Sequence, residues 1–301
     1  MEKLRDLFGP MRPPFLILTP ACVVLGLGTA YWTAGQIRWS SFVLALIGGL
    51  AAHISVNAFN EYFDFRSGLD FLTRRTPFSG GSGTLPGNPR LARAALVTGI
   101  LGSLVVVTIG GYFWKMWGAA LVPLGLLGLL LVILYTPWLA HNPWLCLIAP
   151  GTGFGLLMVM GTHFVLTGGY SWTAFWASLV PFFLVNNLLL LNQFPDVEAD
   201  AQVGRRHLPI VAGRRTAAKV YTAFLALAYL SIVLGVVFHW LPFPSLLGLL
   251  TLVFAAPAAQ KALRYAEDLP QLMPALGMNV LVNILTPTLM AVGLFLGRIA
   301  A

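Results

Sequence analysis

The chain has 301 residues, of which 58% are hydrophobic and only 9% charged, against roughly 25% charged in soluble domains, and this excludes an ordinary soluble globular protein. The formal net charge of +8 is not gathered into a basic region standing apart from the apolar segments. It points to membrane orientation and to anionic headgroups or substrates, and no nucleic-acid partner is expected.

Crossing the hydrocarbon takes about 20 predominantly apolar residues per helix, and nine such segments are predicted: 14–34, 41–63, 92–113, 116–137, 144–166, 172–194, 217–239, 244–264 and 273–296. The fold expected is therefore all-α, a polytopic membrane bundle of about nine transmembrane helices forming a single domain over residues 1–301. The first segment has no small-residue cleavage site after a short apolar core, so it reads as a retained helix rather than a removed leader. The second runs into "NAFNEYFDFRSGLD" (57–70), and the loop after it is "TRRTPFSGGSGTLPGNP" (73–89). That loop has no Gly-Lys-Ser/Thr of a phosphate-binding P-loop and reads as a lid or as a plain flexible linker. The fourth and fifth segments are separated only by "WLAHNP" (138–143), and the sixth leads into "NQFPDVEADAQVGRRHLP" (192–209). Cys22 and Cys146 fall within predicted helices and make neither a disulfide framework nor a metal site. Asn279 and Asn283, four apart on the ninth segment, read as hydrogen-bonding glue between helices. His163 and His239 are expected near the outer membrane interface.

Basic residues give an independent test of the count, because cytoplasmic loops are rich in Lys and Arg. With the N-terminus cytoplasmic, the inner segments hold Lys3, Arg5 and Arg12, then Arg66, Arg74, Arg75, Arg90 and Arg93, then Arg205, Arg206, Arg214, Arg215 and Lys219, then Lys261 and Arg264. That is fifteen of the 18 basic residues, and only Arg38, Lys115 and Arg298 fall elsewhere.

All ten acidic residues lie on the same predicted side. Asn57, Asn60, Glu61 and Asp64 are spaced i, i+3, i+4, i+7 and share a helix face, with His53 one turn deeper. Asn192, Asp196 and Asp200 repeat the arrangement at i, i+4, i+8, across a bend or helix start at Pro195. Solvated loop charges would account for Asp70, Glu198 and Glu61, but not for two matched stripes that would repel one another if they met unneutralised. Ionisable groups at the membrane edge usually mark function. Carboxylates and amide carbonyls, without clustered Cys or His, suit a hard cation such as Mg²⁺, which binds through one or two carboxylates and substrate phosphates. A diphosphate would bridge the two stripes, and Arg66, Arg74, Arg75, Arg205 and Arg206 could clamp its remaining oxygens. An ion-coupled transporter is the rival class, and it would place its acids near the bilayer midplane.

The two quoted stretches, each leaving a membrane helix, resemble the paired aspartate-rich motifs of the UbiA superfamily of intramembrane prenyltransferases. The resemblance implies a helical bundle around a lipid-accessible cavity, with Mg²⁺ holding an isoprenyl diphosphate at the cytoplasmic mouth. It places metal ligands on Asn60, Glu61, Asp64, Asn192, Asp196 and Asp200, with Glu61 standing where members often carry Asp and Gly68 where many carry a third Asp. Asp64, Asp196 and Tyr135 would be catalytic, Tyr135 because "YTPW" (135–138) matches a family segment bearing a tyrosine near the diphosphate. Tyr62, Phe59, Phe63 and Phe194 are further aromatics near the motif ends. Arg66, Arg75, Arg205 and Arg206 would bind diphosphate, and His53, Asn57 and Asn187, with Asn186 beside it, would line the acceptor pocket, although Asn186 and Asn187 read equally as hydrogen-bonding glue between helices. The "G-x-D" ending at Gly68 to Asp70 and the "NxxN" before it are most like the branch acting on 1,4-dihydroxy-2-naphthoate for menaquinone. The 4-hydroxybenzoate branch and other family acceptors stay open, because "LAHNPW" replaces the pattern expected after "YTPW". The enzyme so implied takes an isoprenyl diphosphate and an aromatic acceptor as partners, among membrane lipids. It would sit in a bacterial or archaeal inner membrane with its active site facing the cytoplasm.

Overall fold

The computed structural model describes residues 8–300. The predicted basic residues Lys3 and Arg5 lie outside the described residues. The described residues are predominantly helical and contain no strand.

Each predicted segment corresponds to one helix. These are α1 (Leu18–Ala34), α2 (Trp39–Ser67), α3 (Ala92–Trp117), α4 (Val122–Leu134), α5 (Pro143–Thr167), α6 (Trp172–Asn192), α7 (Arg214–Val237), α8 (Phe243–Arg264) and α9 (Leu269–Ala300). All but the fourth are long and apolar enough to cross a membrane. With the turn before it, the fourth covers only Ala119–Leu134, about 24 Å at 1.5 Å per residue, so it falls short of the roughly 30 Å of hydrocarbon. The chain is an integral membrane protein.

Helix α6 is the core of the bundle. It packs against α1, α5, α7 and α9, and Leu184, Val185, Leu190 and Leu191 on it are fully or almost fully buried. Helices α3 and α4 instead turn Ile100, Leu101, Leu104, Leu126 and Leu130 outward, as lipid-facing surfaces do. Contact between α5 and α6 depends on Gly155: a Cβ there would stand 2.6 Å from Phe182 Cα and 2.8 Å from the Ser178 carbonyl. Small residues let membrane helices approach this closely where no hydrophobic force draws them together.

Helix α5 is irregular at its middle. Pro150 cannot donate a hydrogen bond, and residues Thr152–Leu157 form a π-helical turn. Backbone groups cannot be left unpaired in hydrocarbon, and Asn186 Oδ1 accepts the Gly151 N–H at 2.6 Å. Asn187 Nδ2 donates to the Tyr221 carbonyl, Asn279 Nδ2 to the Asn187 carbonyl, and Asn283 Nδ2 to the Asn279 carbonyl. Asn186, Asn187, Asn279 and Asn283 thus join α5, α6, α7 and α9. His163, expected at an interface, is buried and shares a hydrogen bond with Thr29, whereas His239 is exposed in the turn after α7.

Candidate active site

Helix α2 continues to Ser67, beyond its predicted end, and carries the first polar stripe in unbroken helix. Helix α6 stops at Asn192. A turn through Pro195 follows, and Asp196 then precedes the short helix Val197–Gln202. The Asp200 N–H reaches back to the Asp196 carbonyl at 2.8 Å, so these two acids stand one helical turn apart beyond the break.

Both stripes open onto one cavity of about 630 Å³, within the range of small-molecule sites. His53, Asn57, Asn60 and Asp64 line it from α2, and Asn192, Asp196, Asp200 and Arg205 from the α6 side. The apolar remainder of the wall comes largely from α3, α4 and α5 and includes Phe113, Leu121, Phe154 and Leu157. Polar groups therefore gather at one end of a greasy chamber. The acids sit at helix ends rather than in the middle of the bundle, unlike the layout a transporter would need.

The arginines sort by position. Arg205 Nη1 donates to Asp200 Oδ1 at 3.0 Å, and its Nη2 pairs with Asp64 Oδ1, so one guanidinium bridges the two motifs. Burial works against this cation, but Asp64 and then Asp200 outweigh it and hold its pKa above the ordinary arginine value. The expected diphosphate ligands Arg66, Arg75 and Arg206 are exposed and stand outside the cavity wall. Arg66 is two residues from Asp64, hence on the opposite side of the helix. Arg206, next in sequence to Arg205, projects away from the site.

Asn187 likewise stands outside the cavity wall. It is fully buried between helices, with its amide committed to the Tyr221 carbonyl. Asn57 lines the cavity and donates to the Met11 carbonyl at 3.0 Å. His53 Nδ1 meets Thr19 Oγ1 at 2.9 Å, and its ring stands edge-on to Phe154. Tyr135 also lines the cavity, its hydroxyl 3.9 Å from Cys146 Sγ. Phe194 and Phe59 are buried in packing, and Tyr62 and Phe63 meet edge to face.

Glu61, alone of its stripe, is absent from the cavity wall and is fully buried beside Arg12 and Ser82. Several contributors carried no sequence signal of their own. Arg12 lines the cavity from the start of the chain. It has φ +50° and ψ +60°, a left-handed backbone that costs a non-glycine residue about 1–2 kcal/mol and often marks a functional position. Thr136 accepts from Asn60 Nδ2 at 3.2 Å. His207 Nε2 meets Asp200 Oδ2 at 2.8 Å in a buried pair. The pairing of Arg205 with Asp64, 141 positions apart in sequence, could not be read from local spacing.

The carboxylates outside the membrane helices are strained by their surroundings. Asp196 is pushed up to about 7, by burial first and then by Asp200. Asp70 is also pushed up to about 7, by burial and then by Glu61 and Asp64. Buried oxygens without a hydrogen-bond donor include Asn192 Oδ1, Asp196 Oδ1 and Asp70 Oδ2. Among the described residues no three His, Cys, Asp or Glu side chains are drawn into a ready-made metal cluster, and Arg205 supplies the positive charge between Asp64 and Asp200. Even so, an oxygen-only donor set with unpaired oxygens on Asn192 and Asp196 fits a hard divalent cation.

Comparison with known proteins gives the same picture. The model of the UbiA prenyltransferase family matches residues 20–273. The chain is 28% identical over 305 residues to the 1,4-dihydroxy-2-naphthoate octaprenyltransferase of Escherichia coli (strain K12), covering 97% of this chain and 95% of that protein. It is 29% identical over 227 residues to the protein of the same name from Bacillus subtilis (strain 168), covering 74% and 70%. To the 2-carboxy-1,4-naphthoquinone phytyltransferase of Synechocystis sp. (strain ATCC 27184 / PCC 6803 / Kazusa) it is 23% identical over 295 residues, covering 94% and 91%. Among solved structures, a UbiA homolog from Aeropyrum pernix K1 superposes with a TM-score of 0.70 at 16% identity, covering 93% of this chain and 96% of that one. A UbiA homolog from Archaeoglobus fulgidus bound to DMAPP and Mg²⁺ gives 0.60 at 12% identity, covering 96% and 99%; at these identities the likeness is one of fold. With most of its length matched and two acidic motifs facing each other across one apolar cavity, the chain belongs to the UbiA prenyltransferase family and is a prenyltransferase.

Proposed function

We propose that this enzyme transfers an isoprenyl chain from a polyprenyl diphosphate to 1,4-dihydroxy-2-naphthoate in menaquinone biosynthesis, with Mg²⁺ as its cofactor. The observation carrying this reading is the cavity itself, polar and acidic at one end and apolar along the rest, the shape of an amphipathic substrate with a charged head and a long hydrocarbon tail. The choice of acceptor is supported by the naphthoate and naphthoquinone prenyltransferases among the relatives, each matched over most of its length.

In this reading Asn60, Asp64, Asn192, Asp196 and Asp200 hold Mg²⁺. The chemistry supplied by bound Mg²⁺ is neutralisation of the charge that develops on the departing diphosphate. Arg205 and Arg12 add fixed positive charge at the same end and orient the diphosphate oxygens. The allylic carbon–oxygen bond breaks with its electron pair leaving on diphosphate. The carbon becomes cation-like, and the apolar wall keeps water from trapping it. Tyr135, with Phe15 and Phe78 also on the wall, presents aromatic electron density to that carbon. The ring carbon of the acceptor that bears the carboxylate forms the new carbon–carbon bond, and loss of that carboxylate as CO₂, its bonding pair returning to the ring, restores aromaticity. His53 and Asn57, deeper along the same face of α2, contact the acceptor. The basic residues predicted on the acidic side support a site at the cytoplasmic face of a prokaryotic inner membrane.

The test is a product assay on purified protein with Mg²⁺, a polyprenyl diphosphate and either 1,4-dihydroxy-2-naphthoate or 4-hydroxybenzoate, read by mass spectrometry. A metal-dependent prenylated naphthol is the expected product. Turnover of 4-hydroxybenzoate alone would overturn the choice of acceptor.

A further inference from the structure

The mechanism above leaves Glu61 without a role, although its motif position makes it an expected metal ligand. Its carboxylate is fully buried and fully engaged elsewhere. Oε1 accepts from Arg12 Nε and from the Ser82 backbone N–H, each at 2.7 Å, and Oε2 accepts from Ser82 Oγ at 2.7 Å. Asp196, by contrast, keeps a buried oxygen free of any donor.

The three donors held by Glu61 come from two separate parts of the chain, one before α1 and one in the loop beyond α2. Arg12 lies in the turn before α1, in its left-handed conformation. Ser82 lies in the glycine-rich loop after α2, between Gly80, Gly81 and Gly83, which all have positive φ. That loop is seated tightly: a Cβ on Gly81 would come within 3.1 Å of Asp70 Oδ1 and 3.3 Å of Glu61 Oε1. Ser79, Gly80 and Gly81 form part of the cavity wall at its polar end. A loop with this much glycine has many conformations open to it and needs a specific tie to hold one. A charge-assisted carboxylate with three donors is such a tie.

We propose that Glu61 is a positioning residue that ties the glycine-rich loop and Arg12 to α2, shaping the polar end of the cavity around the diphosphate, and that it does not ligate the metal. The role assigned to the diphosphate rests on the proposed function; the tie itself does not.

The experiment uses full-length protein in detergent and compares wild type with Glu61→Gln and Ser82→Ala. Hydrogen–deuterium exchange follows the loop, electron paramagnetic resonance follows Mn²⁺ binding, and steady-state kinetics separates KM for the prenyl diphosphate from kcat. Glu61→Gln should speed loop exchange about tenfold, as expected for one or two hydrogen bonds lost. It should raise KM by a similar factor with a smaller change in kcat, and leave the Mn²⁺ dissociation constant within about twofold of wild type. Ser82→Ala keeps the Glu61 charge and its pair with Arg12, so it serves where Glu61→Gln does not fold, and it should move loop exchange and KM in the same direction. Weaker Mn²⁺ binding in Glu61→Gln with unaltered loop exchange would make Glu61 a metal ligand and overturn the proposal. Unchanged loop exchange in Ser82→Ala would overturn it as well. The exchange and Mn²⁺ readings need no acceptor, so failure of the naphthoate reading would be seen separately.

Discussion

Acidification should weaken divalent-metal binding at this site, and Asp196 sets the size of the effect. Its carboxyl is pushed from an ordinary 3.8 up to about 7, by burial first and by Asp200 second. A metal binds the deprotonated carboxylate, so protons compete with it. For a group half-titrated near 7, the ionised fraction falls from about nine-tenths at pH 8 to about one-tenth at pH 6, a loss of about tenfold in affinity. If Asp70, raised to about 7 by burial and its neighbours, also ionises on binding, the loss becomes about a hundredfold. Mn²⁺ titrations should be run without diphosphate, whose own protonation overlaps this range. Calorimetry at pH 7 in two buffers of different ionisation enthalpy should count about half a proton released per titrating carboxylate. Asp196→Asn should weaken binding and flatten its pH dependence. Wild-type affinity that stays constant from pH 6 to pH 8 would refute the reasoning. Stability carries the same signature with its own sign. The folded pKa lies above the unfolded one, so the contribution from Asp196 is fully present below about 4 and is lost as pH rises through about 7. Stabilisation of the protein by Mg²⁺ should accordingly be larger at pH 8 than at pH 6, measurable as a shift in Tm.

Asp64→Ala and Asp196→Ala should each lower turnover by at least about a hundredfold while the protein still inserts and folds; retained product formation in either variant would sink the metal assignment. Arg205→Gln leaves Asp64 and Asp200 facing each other without their shared cation. Breaking such a buried pair costs about 3–5 kcal/mol, so the metal-free variant should melt earlier than wild type and recover more of its Tm on adding Mg²⁺. Gly155→Ala forces a methyl group against the α6 backbone at Phe182 and Ser178. It should destabilise the bundle by about 1–3 kcal/mol, visible in thermal unfolding, with no change in Mn²⁺ affinity.

The sequence by itself determined the helix count, the family and which end of the bundle carries the polar chemistry. Hydrocarbon imposes long apolar runs on each helix, and the 3.6-residue period then puts Asn57, Asn60 and Asp64 on one face wherever the helix packs. Both constraints are local, so they survive without knowledge of the fold. Tertiary structure decided which groups meet across the cavity. Glu61 shares the stripe but sits at its flank, where the N-terminal turn and the glycine-rich loop cover it, while Asp64 faces Arg205. Arg12 and Arg205 reach the cavity wall, whereas Arg66, Arg75 and Arg206 do not, because a one- or two-residue shift along a helix or turn redirects the side chain. Asn187 stands only five residues before Asn192, yet one is sealed against Tyr221 and the other lines the cavity. Local periodicity fixes the face on which a residue stands, but the neighbour that covers that face is set by contacts between distant segments, which no local spacing records.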